Sequence, residues 1–247
     1  MIYDQIGGSY ASTRQTDAAW EAQIHAALGD ARRVVNVGAG SGSYEPAGAE
    51  LIAIEPSETM IRQRPDGSAP VVRAVAEQLP FADGAFTAAM AVLTTHHWTD
   101  AERGLRELAR VAQHQVIVTW DPEWFAANFW LVRDYLPEVA DHERELATMA
   151  AVNAHLAVRQ VEPLLVARDC RDGFFGAYWA QPERYLDGEV RASMSGLALL
   201  DADVVARGVN ALRRDLDSGA WARRNAQLSG LDRLDLGYRL IVAQGRA

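Results

Sequence analysis

The chain has 247 residues, 49 % hydrophobic and 23 % charged, enough apolar material for one large domain or a core domain with an insertion. Its 24 basic and 33 acidic residues leave a net charge of −9, which argues against a protein that tracks nucleic-acid phosphates. Every basic residue is arginine, so a Schiff-base lysine, a pyridoxal-phosphate anchor and a phosphate-loop lysine are excluded.

The opening Met1-Ile2-Tyr3-Asp4-Gln5 has neither a basic region nor an apolar run, so no signal peptide is expected. Thr16 to Leu28 predicts a helix, with Trp20, Ile24 and Leu28 recurring every four residues. Short runs rich in β-branched and apolar residues then predict strands at Arg33–Val37, Leu51–Glu55, Val71–Val75, Phe86–Leu93 and Val116–Trp120. Between them, Ser57 reads as the N-cap of a short helix stopped by Pro65, and Asp100 as the cap of a helix carrying Leu105, Leu108 and Val111. After Asp121-Pro122 a long helical stretch is expected to about Arg159, then a sixth strand at Val161–Ala167. Helical segments follow at Pro182–Ser195 and Asp201–Leu216, and Tyr238–Ala243 is the last strand. No apolar stretch nears the ~20 residues of a membrane span. The lone Cys170 leaves no intramolecular disulfide or cysteine-rich metal site, so a cytoplasmic protein without a membrane or nucleic-acid partner is expected.

These elements predict an α/β protein with a Rossmann-like, doubly wound, mostly parallel seven-stranded sheet and a mostly helical cap inserted before the last strand. The expected division is a cofactor-covering segment at 1–29, a core at 30–120 and 229–247, and a cap at 121–228 holding the strand at 161–167.

Val34 to Gly42 reads as a strand running into a G-x-G-x-G loop, Gly38-Ala39-Gly40-Ser41-Gly42. Glycines there permit positive φ and let a ligand lie on the backbone. Thirteen residues on, the second strand ends at Glu55, placed to accept hydrogen bonds from a ribose diol. The link between the strands, Ser43 to Glu50, is too short for a crossover helix and holds two acids and a proline. A dinucleotide needs a helix N-terminus for its pyrophosphate. S-adenosylmethionine has no phosphate and carries a cationic sulfonium and amino group, so the acidic, helix-poor loop favours the methyl donor over NAD.

Three further stretches complete a resemblance to the class I S-adenosylmethionine-dependent methyltransferases that act on small molecules. Ala76-Glu77-Gln78-Leu79-Pro80-Phe81 with Asp83-Gly84-Ala85-Phe86 resembles the segment after strand three whose backbone meets the adenine. Val92 to Asp100 resembles the end of strand four, bordering donor and acceptor. Leu105-Arg106-Glu107-Leu108-Ala109-Arg110-Val111 resembles the helix before strand five. Tyr10-Ala11-Ser12-Thr13-Arg14 is similar to a segment that covers the donor, with the arginine on its carboxylate. The resemblance covers about residues 3–120 and implies that Tyr10, Arg14, Gly38, Ala39, Gly40, Glu55, Pro56, Met60, Ala76, Glu77 and Leu93 bind the donor. The chain departs from the family where Asn36 and Val75 replace acids beside the donor, where Thr87 replaces an aspartate, and where Gln113-His114-Gln115 replaces a turn.

Methyl transfer needs proximity and alignment, and a base only when the acceptor must lose a proton. His96 and His97, just past strand four, are the candidate catalytic residues, because an imidazole titrates near neutral pH. Asp121 past strand five is a weaker candidate, and His155 reads as a helix-face residue. Eleven of the 20 aromatic residues fall between Trp120 and Tyr185, which fits a cap that fills its own core while some rings line an apolar acceptor site. Tyr44 is placed to reach the donor. The alternatives are a donor-binding module of the same fold that does not methylate, and an NAD-dependent oxidoreductase. The acceptor and the oligomeric state are not legible.

Overall fold

The computed structural model describes residues 15–146, 148–192, 194–198 and 200–245. Helix α1 (Ala18–Leu28) starts where Asp17 accepts from the N–H groups of Ala19 and Trp20, and it buries Trp20, Ile24 and Leu28. The strands are β1 (Arg33–Val37), β2 (Glu50–Ile54), β3 (Val71–Val72), β4 (Phe86–Val92), β5 (Ala112–Trp120), β6 (Leu156–Pro163), β7 (Val166–Ala167), β8 (Arg233–Leu234) and β9 (Tyr238–Gly245). Seven of them form one sheet in the order β3-β2-β1-β4-β5-β9-β6, and β7 pairs with β8. β1 to β5 run parallel, while β9 is antiparallel to both β5 and β6. The order reverses between β1 and β4, which opens a crevice beyond their C-terminal ends.

Both faces of the sheet are covered, which explains strands as apolar as Val34-Val35 and Val116-Ile117-Val118. On one face pack α1 and the cap helices α4 (Pro122–Asn128), α5 (Trp130–Asp134), α6 (Glu138–Leu146) and α10 (Ala202–Asp217). The other face is covered by α3 (Ala101–Val111) and α7 (Thr148–His155), which pack on each other. The smaller helices are α2 (Glu58–Arg62), α8 (Gly188–Ala192), α9 (Ser195–Ala198) and α11 (Ala220–Arg224).

Five sequence expectations are corrected. β3 pairs only over Val71–Val72, because the chain leaves the sheet edge and Val75 is exposed. β5 begins at Ala112 with no intervening loop, so Gln113, His114 and Gln115 are strand residues, and the His114 ring sits 2.8 Å from the Ala27 carbonyl. The helix expected to reach Arg159 is broken into four, first at Phe129, whose extended backbone (φ −89°, ψ 107°) separates α4 from α5. The strand expected at 161–167 begins at Leu156 and ends at Pro163, its register set by β9 and shifted at a bulge between Val158 and Gln160. The helix expected over Pro182–Ser195 is a 3-10 turn, Pro182–Leu186, followed by the short α8.

Candidate functional site

The glycine loop is pulled across the tip of β2. The N–H groups of Gly38 and Ala39 both donate to the Ile54 carbonyl, at 2.8 and 2.9 Å. Gly38 has φ +73°, and a Cβ there would lie 1.9 Å from Thr94 Oγ1, so only glycine fits against the end of β4. Gly40 (φ +54°) donates its N–H to Glu55 Oε2 at 2.8 Å, and the Ser57 N–H donates to Oε1 at the same distance. Glu55, 6 % exposed, is thereby fixed in orientation at the rim of the loop. Ser57 then caps α2 through the Met60 N–H, which sets the Met60 side chain beside Gly40.

Gly38, Ala39, Gly40, Glu55, Pro56, Met60, Ala76, Glu77, Leu93, His96 and His97 all border one cavity of about 480 Å³. Tyr10 and Arg14 lie outside the described residues. Among the described residues, Glu55 and Glu77 are the only carboxylates on the cavity wall, and no arginine lines it. Such a wall suits a cation better than a phosphate. Leu93 has φ +49°, an unusual conformation for a branched residue, held by its N–H donating to the Val118 carbonyl at 2.9 Å. The His96 ring lies against that of His97, tilted by 49° with centroids 3.6 Å apart, and meets Trp120, at the end of β5, edge-on at 4.6 Å.

The missing crossover helix is replaced by two side-chain links. Asn36 Nδ2 donates to Glu45 Oε1 at 3.1 Å, and buried Arg64 clasps the same carboxylate at 2.8 Å while reaching the carbonyls of Gly40 and Ala69. Arg64 therefore cancels the negative charge expected of this loop, and the acidity of the site rests on Glu55 and Glu77. The second link is Tyr44, which sits in the left-handed region (φ +64°) with its hydroxyl donating to Asp172 in the cap at 2.5 Å. Tyr44 borders the cavity, and its hydroxyl donates to Asp172.

The loop after β3 is clamped from α3. Glu107 accepts from the Leu79 N–H at 2.8 Å, and Arg110 donates to the carbonyls of Leu79 and Phe81 and to Asp83. The hydrogen bond from Arg110, opposed by partial burial, holds the Glu107 carboxyl below its ordinary 4.5, and Glu107 in turn raises the Arg110 guanidinium. This clamp fixes the segment that carries Ala76 and Glu77. The departures Asn36 and Thr87 both have structural partners, since Thr87 Oγ1 accepts from the Arg33 N–H and donates to the Arg33 carbonyl.

Other expectations do not converge on the cavity. Asp121 is the N-cap of α4, accepting from the N–H groups of Glu123 and Trp124. His155 ends α7 and lies 3.8 Å from Glu102 on the opposite face. The cap aromatics fill their own core: Phe125, Phe129, Trp130 and Tyr185 pack ring against ring, and none of the eleven borders the cavity among the described residues. Two residues at the site escape sequence reasoning. Thr94 closes the Gly38 side, a role only three-dimensional approach defines. His142, on α6, lines the cavity from the cap. Its local sequence, Asp141-His142-Glu143, reads as an exposed helix turn. Among the described residues no group of three or more His, Cys, Asp or Glu could hold a metal ion, and no helix is long and apolar enough to cross a membrane.

Residues 35–118 match the family model of a methyltransferase domain. Nothing among the curated proteins matches the chain. A crystal structure from Anabaena variabilis, provisionally named a methyltransferase from an antibiotic biosynthesis pathway, is 29 % identical. The match covers 94 % of this chain and 99 % of that one, with a TM-score of 0.80. An S-adenosylmethionine-dependent methyltransferase from Thermotoga maritima is similar in fold, at 15 % identity, 99 % and 92 % coverage and a TM-score of 0.51.

Proposed function

We propose that the chain moves a methyl group from S-adenosylmethionine to a small-molecule acceptor, a reading supported by the match of residues 35–118 to a methyltransferase-domain model and by the similarity of the fold to the structure from Anabaena variabilis. The observation that carries this reading is Glu55. Its carboxylate is held by two backbone N–H groups at the rim of the glycine loop, inside a cavity with acidic residues and no arginine on its described wall.

In this reading Glu55 takes the ribose hydroxyls and the backbone of Gly38, Ala39 and Gly40 meets the rest of the donor. Pro56, Met60, Ala76 and Leu93 supply apolar wall for the adenosine, and Glu77 adds negative potential. When bound, the donor supplies a methyl group already activated on a positively charged sulfur. The protein then contributes alignment and exclusion of water. His96 and His97 are the assigned handlers of an acceptor proton, because both line the cavity just past β4 and an imidazole nitrogen is able to bind a proton. Tyr10 and Arg14 are assigned to cover the donor from the N-terminal side.

Calorimetry of the full chain with S-adenosylhomocysteine and with NAD tests the reading. Binding of S-adenosylhomocysteine and none of NAD is expected. Binding of NAD alone would transfer the protein to redox chemistry.

A further inference from the structure

We propose that Asn36, held in one sense by the ion pair of Arg64 and Glu45, accepts a hydrogen bond from the ammonium group at the amino-acid end of the donor. The inference rests on the methyltransferase reading above and gives Arg64 and Glu45 a positioning role in ligand binding, beyond their support of the loop.

The contacts begin at Arg64. Its guanidinium is 4 % exposed and reaches both oxygens of Glu45, at 3.0 and 2.8 Å. A carboxylate so paired only accepts, so the Asn36 amide meets it through its NH2 group, and Nδ2 donates to Glu45 Oε1 at 3.1 Å. The carbonyl oxygen Oδ1 is thereby turned away from Glu45. Asn36 is buried and borders the cavity. Its Oδ1 accepts no hydrogen bond from the described residues, yet it does not belong to their enclosed, partnerless polar atoms. The open side of that oxygen is therefore the cavity.

The fold places Asn36 at the end of the ligand away from the base. Asn36 pairs with Ala53 in the sheet, so it stands beside the strand that ends at Glu55. It shares a face of β1 with Val34, which belongs to the core under α1 and the cap, whereas Ala76 belongs to the core on the α3 face. With the ribose on Glu55 and the adenosine against Ala76, the other arm of the ligand runs toward Asn36. In S-adenosylmethionine that arm ends in an ammonium and a carboxylate. A carbonyl oxygen attracts the first and repels the second. Because the ion pair fixes the amide before the ligand arrives, no reorientation is required on binding.

The test is calorimetric titration of the full chain with S-adenosylhomocysteine and with its deaminated analogue, which keeps the carboxylate and lacks only the ammonium. The parent should bind S-adenosylhomocysteine about tenfold more tightly than the analogue. Asn36→Leu keeps the bulk and drops the oxygen, so it should bring the two ligands to about the same affinity. Glu45→Gln frees the amide to turn and should lose part of the preference. Arg64→Lys keeps a cation on Glu45 and should retain it. A merely structural role would weaken both ligands equally. Each variant is first shown to be folded by its thermal transition. Equal affinity of the parent for the two ligands, or a preference undiminished in folded Asn36→Leu or Glu45→Gln, would overturn the inference. If neither ligand binds the parent, the donor reading itself fails and takes this inference with it.

Discussion

The hydroxyl of Tyr44 donates to a carboxylate oxygen of Asp172 at 2.5 Å, joining the loop after β1 to the cap across 128 residues of sequence. Tyr44 is buried in a left-handed conformation and Asp172 is fully buried. The glycine loop and the cap are thus stabilised as one unit. Tyr44→Phe keeps the ring and removes the donor, so it should cost about 1–3 kcal/mol of stability, read as a lower denaturant midpoint. A midpoint equal to the parent's would mean that the link contributes nothing.

Gly38→Ala should be among the most damaging small substitutions in the protein. It places a methyl group 1.9 Å from Thr94 Oγ1 and 2.7 Å from Thr94 Cβ, at φ +73°. The conformational part alone costs roughly 1–2 kcal/mol, and the clash displaces the end of β4. Adding Thr94→Ala removes the hydroxyl contact but leaves Cβ, so a double-mutant cycle should recover part of the loss and not all. Full additivity of the two substitutions would contradict the close approach.

Arg64 is 4 % and Glu45 12 % exposed at the side chain, and they form the ion pair that stands in for a crossover helix. Removing one partner of a buried pair typically costs about 3–5 kcal/mol. Arg64→Ala is expected near the lower end, because Glu45 keeps the amide of Asn36. Thermal unfolding of the variant checks this, and a change within error of zero would show that the loop holds itself.

The clamp of Glu107 on Arg110 and Leu79 makes part of the stability dependent on pH. The folded carboxyl lies below its ordinary 4.5, chiefly through the Arg110 hydrogen bond. Its contribution is therefore complete above about pH 4.5 and is lost as pH falls through the lower, folded value. Glu107→Gln should reduce stability at neutral pH and flatten the decline on the acid side. Denaturant unfolding of parent and variant from pH 7 down to pH 3 measures both. Parallel curves would remove Glu107 from the acid response.

The sequence reveals the half of the fold whose elements carry their own signal. β1 and β2 are short, buried on both faces and followed by glycine or a capped turn, so Gly38 to Gly40, Glu55 and Ser57 could be placed at once. β6 could not, because Leu156-Ala157-Val158-Arg159-Gln160-Val161-Glu162-Pro163 has exposed polar residues in its middle and becomes a strand by pairing with β9. The cap was legible as helical and aromatic, yet its breaks at Phe129 and around Tyr135 depend on ring packing that no period records. His142 was invisible for a related reason. Its position at the cavity follows from how α6 lies on α4, and a single histidine in a polar helix turn carries no mark of that.

The central claim is that Glu55, fixed by Gly40 and Ser57, binds the ribose of an S-adenosyl ligand. It is tested most directly by calorimetric titration of S-adenosylhomocysteine into the parent, Glu55→Gln and Glu55→Ala, each first shown to be folded by its thermal transition. Saturable binding to the parent and at least tenfold weaker binding to folded Glu55→Ala, with Glu55→Gln between them, is expected for the loss of charge-assisted hydrogen bonds. Equal affinity across the three proteins, or no binding to the parent, would contradict it.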